Sequence, residues 1–410
     1  MHASLLRRRA PRREPRRSPA RGGARGGDLV DRDLVRLRRP VLRDPEHRQL
    51  LDAVRAGAGP GDRVPGAAGM NGRTLRWLLT LVRPRTSGDG ARGASRLTIL
   101  RHHRVYEDGA HPLYRLGVAA SVLRAQVELL DRERLGPITV AEGLRRLEAG
   151  EPGHRVAMTF DDGYADNAHR ALPLLAAVGA RATFYLTAGL IERREPAWWD
   201  VLAHALERTR LASFDWTGAA GTLRLPVATR AERARALETL LPDFRVEPAR
   251  RTERLETLRR ALEVSEGAPC EFMSWSEAAG LRAAGMELGA HTLSHPHLRT
   301  LDAASQQREI AGSVELIERR TGVRPQGLAY PGGDFDARTV TAARAAGLAY
   351  AVTTRAGDNR PGASRFELRR RGFAEGACLG PGGRFSPRLA MAELDGAFDR
   401  LRGAFAGGRA

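Results

Sequence analysis

Two adjacent carboxylates, Asp161 and Asp162, directly follow a short apolar run and precede a glycine in the sequence TFDDGY. His291 and His295 follow a second apolar run much later in the chain, in the sequence GAHTLSH. One carboxylate and two imidazoles are a common ligand set for a catalytic zinc ion that keeps an open position for water. The remaining carboxylate would then be free to act as a general base.

Each of these patterns has a plainer explanation when it is taken alone. An Asp-Asp-Gly sequence is more often a turn than a site, and most isolated pairs of histidines four residues apart bind no metal. The sequence Tyr-Pro-Gly-Gly at 330–333 is by itself a tight turn. What favours a site is that the patterns occur together, each one directly after a predicted strand.

Short apolar runs alternate with helical patterns from Leu97 onward, which favours a parallel α/β fold. The predicted strands are 97–100, 156–160, 182–186, 286–290, 327–330 and 349–353. The predicted helices that separate or follow them are 121–135, 167–178 with Asn167 as its N-cap, 276–284, 302–320, 337–346 and 389–401.

Polar groups recur where these strands end. His102 and His103 follow the first strand, the two carboxylates follow the second, and Gly332 follows a later one. In a βα barrel, the carboxyl ends of the strands gather on one face, where active sites form. Residues far apart in the sequence are therefore expected to converge.

The motifs TFDDGYADN, GAHTLSHPHL and LAYPGG resemble the successive motifs of the polysaccharide deacetylases, the NodB-homology domains of carbohydrate esterase family 4. The resemblance extends from about Leu97 to Phe373, and the sequences ILRHHRV, WWD at 198–200 and ELRRRGF resemble one branch of that family. It implies an irregular (β/α) barrel of seven strands, similar to a TIM barrel. It also implies metal-dependent removal of N-acetyl groups from the amino sugars of a poly- or oligosaccharide.

The resemblance also implies roles for individual residues. Asp161 would be the general base, and the Gly332 N–H would stabilise the oxyanion. The metal ligands would be Asp162, His291 and His295. The implied cofactor is a divalent cation, zinc first, with cobalt and nickel as alternatives.

Two features depart from the family pattern. The family usually supplies a late histidine as the general acid, but no histidine follows His297 in this chain. We assign that role to His103, with His102 as the alternative. Many members also carry an arginine in the third motif that braces the catalytic aspartate, whereas Ala329 stands there in this chain. Arg370 matches a late arginine of the branch and could supply the charge.

The composition divides the chain into three parts. Residues 1–95 are rich in Arg, Gly and Pro and are predicted to be mostly disordered. Residues 96–375 are predicted to form the deacetylase domain, with a helical insertion at about 190–270. A tail with one helix follows from 376 to 410.

The formal net charge of +19 suggests nucleic acid as a partner, but its distribution argues against that class. All basic residues are arginines, and most of the excess lies in residues 1–95. We therefore expect an N-acetylated glycan as the partner and no nucleic acid. Neither a membrane span nor a secretory signal is predicted. Peripheral membrane contact, the compartment (cytoplasm or cell envelope) and the oligomeric state stay open.

Cys270 and Cys378 have no metal-binding spacing, so two inert thiols are favoured over a single disulfide. Two other functions stay open alongside sugar deacetylation. The chain could hydrolyse a non-sugar linear amide, or it could be a glycan-binding pseudoenzyme.

Overall fold

Most of the apolar runs form the strands of one parallel sheet. The computed structural model describes residue 80 and residues 94–399. The strands are β1 (Arg96–His102), β2 (Arg104–Tyr106), β3 (Gly117–Ala119), β4 (His154–Phe160), β5 (Ala182–Leu186), β6 (Ser213–Gly218), β7 (Gly221–Pro226), β8 (Glu287–Ala290), β9 (Gly327–Ala329), β10 (Tyr350–Val352) and β11 (Arg371–Gly372). Seven of them form the main sheet in the order β10-β9-β8-β5-β4-β1-β11.

The segment that leads into β11 joins the two edges of this sheet. Leu368 forms a parallel bridge with Val352 of β10, and its carbonyl accepts from the Thr353 N–H at 2.8 Å. Three residues later, Arg371 pairs with Leu100 of β1. The sheet therefore curls into an irregular (β/α) barrel of seven parallel strands, as the sequence predicted.

Helices cover the outside of the barrel and close one end of it. They are Ala120–Arg132, Val140–Glu148, Leu172–Ala176, Ala188–Arg193, Trp198–Arg208, Arg230–Leu240, Pro248–Ala261, Trp275–Ala283, Ala303–Thr321, Ala337–Ala345, Glu375–Cys378 and Pro387–Leu394. The first residues of Val140–Glu148 donate backbone hydrogen bonds to Thr183 and Glu287, which lie at the starts of β5 and β8. This helix closes the end of the barrel opposite the strands' carboxyl ends.

Alternate residues of β1 face opposite sides of the sheet. Leu97 and Ile99 belong to the interior cluster, which also contains Tyr185 of β5 and Tyr350 of β10. Leu100 packs instead into the core between the sheet and the helices. The open end of the barrel, at the carboxyl ends of the strands, is called its mouth here. Because side chains alternate along a strand, positions 101 and 103 point toward the mouth and position 102 points into the helix layer.

The segment at about 190–270 is only partly helical, which corrects the sequence prediction. Three helices are present, but β6 and β7 form an antiparallel hairpin between the first two. Trp216 and Phe214 of β6 are buried with Phe244 in a hydrophobic cluster of this segment's own. Alternation of buried and exposed residues along β6 gave a period-two signal that the charged sequence around it obscured.

Two other local predictions need correction. Asn167 does not cap a helix: a π-helical turn spans Asn167–Ala171, and the buried Asn167 amide donates to the His103 carbonyl at 2.7 Å instead. The last helix is Pro387–Leu394, and the rest of the predicted helix lies partly outside the described residues. The predicted disorder of residues 1–95 lies almost wholly outside them as well. Within the described part of the chain, no helix has the length and apolar character needed to cross a membrane.

Candidate metal centre and catalytic groups

Asp162, His291 and His295 lie together at the carboxyl ends of β4 and β8. The Asp162 Oδ1 atom is 3.4 Å from Nε2 of His291 and 3.6 Å from Nε2 of His295. One ligand atom from each residue can be chosen so that all three lie within 4.8 Å of one another. The three residues predicted as metal ligands therefore converge.

The Asp162 carboxylate supplies a test of whether a cation fits. It is 1% exposed, and neither of its oxygens accepts a hydrogen bond from any described residue. A buried carboxylate without partners is strongly unfavourable, so proteins normally pair such a group or leave it in contact with water. Two imidazole nitrogens facing it make the group a good fit for a divalent cation, which would supply the missing partner.

Backbone strain and one hydrogen bond set the orientation of these three side chains. Asp162 and His295 both have positive φ values, 78° and 53°, which non-glycine residues adopt uncommonly. The Ala329 carbonyl accepts a hydrogen bond from Nδ1 of His291 at 2.7 Å. This bond fixes the proton on Nδ1 and leaves the Nε2 lone pair directed at Asp162.

Glu309 braces the loop between the two histidines, a contact that the sequence gave no signal for. Its Oε2 accepts from the N–H groups of Leu293 and Ser294, both at 2.9 Å, and its Oε1 accepts from the Ser294 hydroxyl at 2.6 Å. Glu309 lies on the helix Ala303–Thr321. The loop thus donates three hydrogen bonds to one carboxylate, which holds it in place.

Asp161 has separate partners from those of Asp162. Arg370 donates to both of its oxygens, Nη1 to Oδ1 and Nη2 to Oδ2, each at 2.7 Å. The Arg370 Nε also donates to the Thr353 carbonyl at 2.9 Å. Burial alone would raise the pKa of Asp161, but the charge and hydrogen bonds of Arg370 outweigh burial and hold that pKa well below its usual range. Asp161 is therefore ionised near neutral pH.

His103 reaches this carboxylate and His102 does not. The His103 Nε2 lies 3.9 Å from Oδ2 of Asp161, and its side chain is 22% exposed. Burial lowers the pKa of His103 despite the opposing charges of Asp162 and Asp161, so this imidazole is neutral at rest. The Asn167 amide holds its backbone through the bond described above.

The His102 ring lies in the helix layer, as the alternation along β1 requires. It stacks on Phe160 with centroids 5.2 Å apart, and its Nε2 lies 3.2 Å from Oε1 of Gln126. Burial lowers the pKa of His102 to about 4. Between the two histidines that the sequence left open, only His103 faces the carboxylates.

Gly332 lies in the turn Pro331–Gly333, which follows β9, with φ at 63°. A Cβ at this position would lie 3.2 Å from Cε1 of His297, so the turn packs closely against that ring. The sequence gave no signal for this contact. A positive φ together with a close neighbour explains a glycine here.

A hydrogen-bonded group behind His295 was also missed as a structural unit. The Trp199 ring lies 4.5 Å from the His295 ring, centroid to centroid. Its Nε1 donates to the Tyr164 hydroxyl at 2.7 Å, and that hydroxyl donates to Asp200 at 2.8 Å. Burial raises the pKa of Asp200 to about 7. Elsewhere, Cys270 and Cys378 are not joined by a disulfide, as the sequence favoured.

Comparison with known proteins identifies the family. A family model described as polysaccharide deacetylase matches residues 149–351. The match includes Asp161 and the three candidate metal ligands, Asp162, His291 and His295. This part of the chain belongs to the polysaccharide deacetylase family, the NodB-type carbohydrate esterases, as the sequence motifs indicated. The family implies a hydrolase that acts on amide bonds of sugars.

Individual relatives are distant. An uncharacterized protein of Streptomyces coelicolor is 37% identical over 83 residues, which are 20% of this chain and about a third (33%) of the relative. The Streptococcus pyogenes deacetylase PplD, solved with acetate, is 18% identical with a TM-score of 0.49 and covers 73% of this chain and 99% of its own. IcaB from Ammonifex degensii is 18% identical with a TM-score of 0.45, covering 73% and 97%. Likenesses this remote leave the substrate unassigned.

Proposed function

We propose that this protein is a metal-dependent N-deacetylase that removes acetyl groups from the amino sugars of a poly- or oligosaccharide. One observation carries the proposal. A buried carboxylate without protein partners, Asp162, faces two imidazoles, while the adjacent carboxylate, Asp161, is held apart by an arginine. Two neighbouring carboxylates with different partners suit two different roles.

A divalent cation would be held by Asp162, His291 and His295. Three protein ligands of nitrogen and oxygen type suit zinc with an open position, and cobalt or nickel could take the same ligands. A cation there supplies Lewis-acid chemistry, activating water and polarising the amide carbonyl.

In this proposal, Asp161 accepts the proton of the attacking water. Its low pKa keeps it ionised, and the two hydrogen bonds from Arg370 keep its carboxylate plane fixed toward the mouth. A low pKa also makes Asp161 a weak base, which suits a water that is already activated. Arg370 is a positioning residue here, since its contacts are with Asp161 and with protein oxygens.

His103 would donate the proton that the leaving amine needs. It is neutral at rest and lies near Asp161, so it can receive the proton that Asp161 takes from the water and pass that proton to the nitrogen. The Gly332 N–H would donate to the oxyanion, which is supported by its exposed turn after β9. His103 and Gly332 follow strands on different sides of the mouth. This arrangement suits one group that donates to the amide nitrogen and another that donates to the carbonyl oxygen.

The test is acetate release by the purified full chain after it has been loaded with zinc. Chitooligosaccharides and small linear amides form the substrate panel, which separates sugar deacetylation from hydrolysis of another amide. We expect release from the sugars and none after chelation of the metal. Asp161→Asn should abolish release while the bound metal, measured by mass spectrometry, stays at the level of the unmodified protein. Turnover that survives Asp161→Asn would sink the assignment of the base.

A further inference from the structure

Arg101 lies on β1 and faces the barrel mouth. Among the described residues, none accepts a hydrogen bond from its guanidinium or forms an ion pair with it. Other inward-facing cations of the site behave differently: Arg370 has a carboxylate, a hydroxyl and a carbonyl as acceptors. A partly buried arginine with five unused donors is unfavourable unless a ligand meets it.

The neighbours of Arg101 place its side chain beside the catalytic groups. It pairs in register with Thr159 of β4 and with Gly372 of β11, and it precedes His103 by two residues. A Cβ at Gly372 would lie 3.8 Å from Nη2 of Arg101, and Gly372 is exposed. The guanidinium therefore extends across β11 at a point where the absence of a side chain leaves it open to the mouth.

The charges at the mouth leave room for an anion. Arg370 already neutralises Asp161, and a divalent cation would more than neutralise Asp162. Burial lowers the pKa of Arg101 and the like charge of Arg370 lowers it further, whereas the charges of Asp161 and Asp162 raise it. Two carboxylates and two guanidiniums cancel, so the cation that the proposed function requires would give the mouth a surplus of positive charge. Such a site attracts negatively charged ligands.

The side of the mouth on which Arg101 lies indicates which part of the substrate carries that charge. Gly332, the proposed donor to the acyl oxygen, follows β9, while Arg101 and His103 are at β1. These two strands are not neighbours in either direction around the barrel. Arg101 thus lies on the side of the leaving amine, which is the side of the sugar ring.

We propose that Arg101 binds a negatively charged substituent on the sugar part of the substrate, a carboxylate or a phosphate. This proposal rests on the deacetylase function proposed above and adds the substrate class to it. A planar guanidinium pairs with either anion through two parallel hydrogen bonds. The glycan would accordingly be an anionic polymer or a sugar with an acidic substituent next to its N-acetyl group.

Binding and turnover are both measured with three oligosaccharides of one length. One is a neutral chitooligosaccharide, one alternates N-acetylglucosamine with glucuronate, and one carries phosphate on N-acetylglucosamine. Equilibrium binding to the metal-stripped full chain is followed by saturation-transfer NMR, and acetate release is followed with the zinc-loaded protein. The variants are Arg101→Gln and Arg101→Lys. Arg365→Gln is the control, because this arginine is exposed and pairs with Glu148 away from the mouth.

We expect the unmodified protein and the control to prefer one of the anionic sugars over the neutral one. Arg101→Gln should reduce that preference by about tenfold or more, mainly through KM, and Arg101→Lys should keep part of it. High salt should weaken the preference in the unmodified protein and not in Arg101→Gln. Retention of the full preference in Arg101→Gln, or equal binding of all three sugars by the unmodified protein, would overturn the proposal.

Two further outcomes separate this proposal from the general one. If neutral sugars are deacetylated and the anionic sugars bind no better, the deacetylase function stands and the anion site is wrong. If no sugar releases acetate but the anionic preference depends on Arg101, the anion site stands and the activity is wrong. Arg101→Gln should also leave Tm nearly unchanged, because the change removes no hydrogen bond or ion pair with a described residue. A large drop in Tm would indicate a structural role instead.

Discussion

The segment matched by the family model, residues 149–351, and the strands that flank it contribute different parts of the site. The matched segment carries Asp161 and the three candidate metal ligands Asp162, His291 and His295, each within a short motif. The flanking strands carry His103, after β1, and Arg370, just before β11. The part that would hold a cation is thus encoded locally, whereas the groups beside Asp161 come from two neighbouring strands outside the matched segment, β1 and β11.

Arg370 shows why the flanks can vary without loss of the arrangement. Ala329 stands on β9 where many family members have the bracing arginine, and the charge comes instead from the start of β11, two positions around the barrel. The Arg370 side chain points into the barrel, and its guanidinium reaches Asp161 from there. A barrel fixes the meeting point of side chains and leaves the choice of strand free.

The largest effect is expected in the matched segment. His291→Ala should lose the metal and abolish acetate release, because it removes one of three ligands and leaves Asp162 with a single imidazole. Metal content by mass spectrometry and acetate release check this. His169→Ala, at an exposed histidine that pairs with Glu277, is the control and should match the unmodified protein. Full metal occupancy in His291→Ala would contradict the assignment of the triad.

In the flanks, Arg370→Met should have the next largest effect. It leaves Asp161 buried without a counter-charge, which typically destabilises a protein by about 3–5 kcal/mol. Burial then dominates and raises the pKa of Asp161. In the unmodified protein, the pKa of Asp161 is lower in the folded chain than in the unfolded chain. Ionised Asp161 therefore stabilises the fold at every pH above the unfolded-state pKa, and this contribution is lost only in strong acid. In the variant the raised pKa reverses this sign, so stability falls as pH rises.

Thermal unfolding of metal-stripped Arg370→Met at pH 5 and pH 8 measures that reversal. The deficit should be greater at pH 8, and acetate release by the loaded variant should be lost. Arg370→Lys should recover part of the stability but little of the activity, since lysine cannot bind both oxygens. Arg369→Met, at the exposed neighbour, should change neither. A deficit that is equal at both pH values would mean that Arg370 acts through packing alone.

How far the site could be predicted depended on how local each part is. Asp161, Asp162, His291 and His295 lie in motifs whose residue types suggest their chemistry. The pairing of Arg370 with Asp161 could only be suggested by resemblance, because three consecutive arginines gave no means of choosing among them. Strand register decides: residue 370 points into the barrel, and its neighbours point out.

His103→Gln should have a smaller effect, and one confined to catalysis. Removing a general acid typically slows turnover by about 10²–10⁴-fold, while metal content should stay unchanged because His103 is not in the ligand group. The comparison is His102→Gln, which removes a stacked ring from the helix layer and should lower Tm more than turnover. The reverse pattern in the two variants would restore His102 as the acid.

The fold, like the site, was predicted where the sequence signal is local and missed where it is not. Strands β4, β5 and β8 were predicted within two residues at each end, because buried parallel strands form continuous apolar runs. The parallel pair β2–β3 and the short β11 were not, since two or three residues carry no measurable period. Asn167 was misassigned because its amide satisfies the backbone of His103 from a distant strand, a tertiary contact that overrides local capping preference.

Glu309→Gln should have the smallest effect. It tests whether the loop between His291 and His295 keeps its position when some of its hydrogen bonds are weakened. Glutamine keeps one oxygen that can accept from the Leu293 and Ser294 N–H groups, and the serine hydroxyl can accept from the new amide. Metal affinity should therefore fall by no more than about tenfold, with kcat at saturating zinc nearly unchanged. Glu315→Gln, at an exposed position of the same helix, is the control.

A competition titration with a zinc chelator measures that affinity, followed by acetate release at saturating zinc. A drop in kcat that persists at saturation would mean that this loop shapes the reaction itself and not only the hold on the cation. The expected contrast with Arg370 follows from the number of contacts at stake. Conservative replacement of Glu309 keeps most of the loop's hydrogen bonds, whereas both oxygens of Asp161 depend on one guanidinium from a strand outside the matched segment.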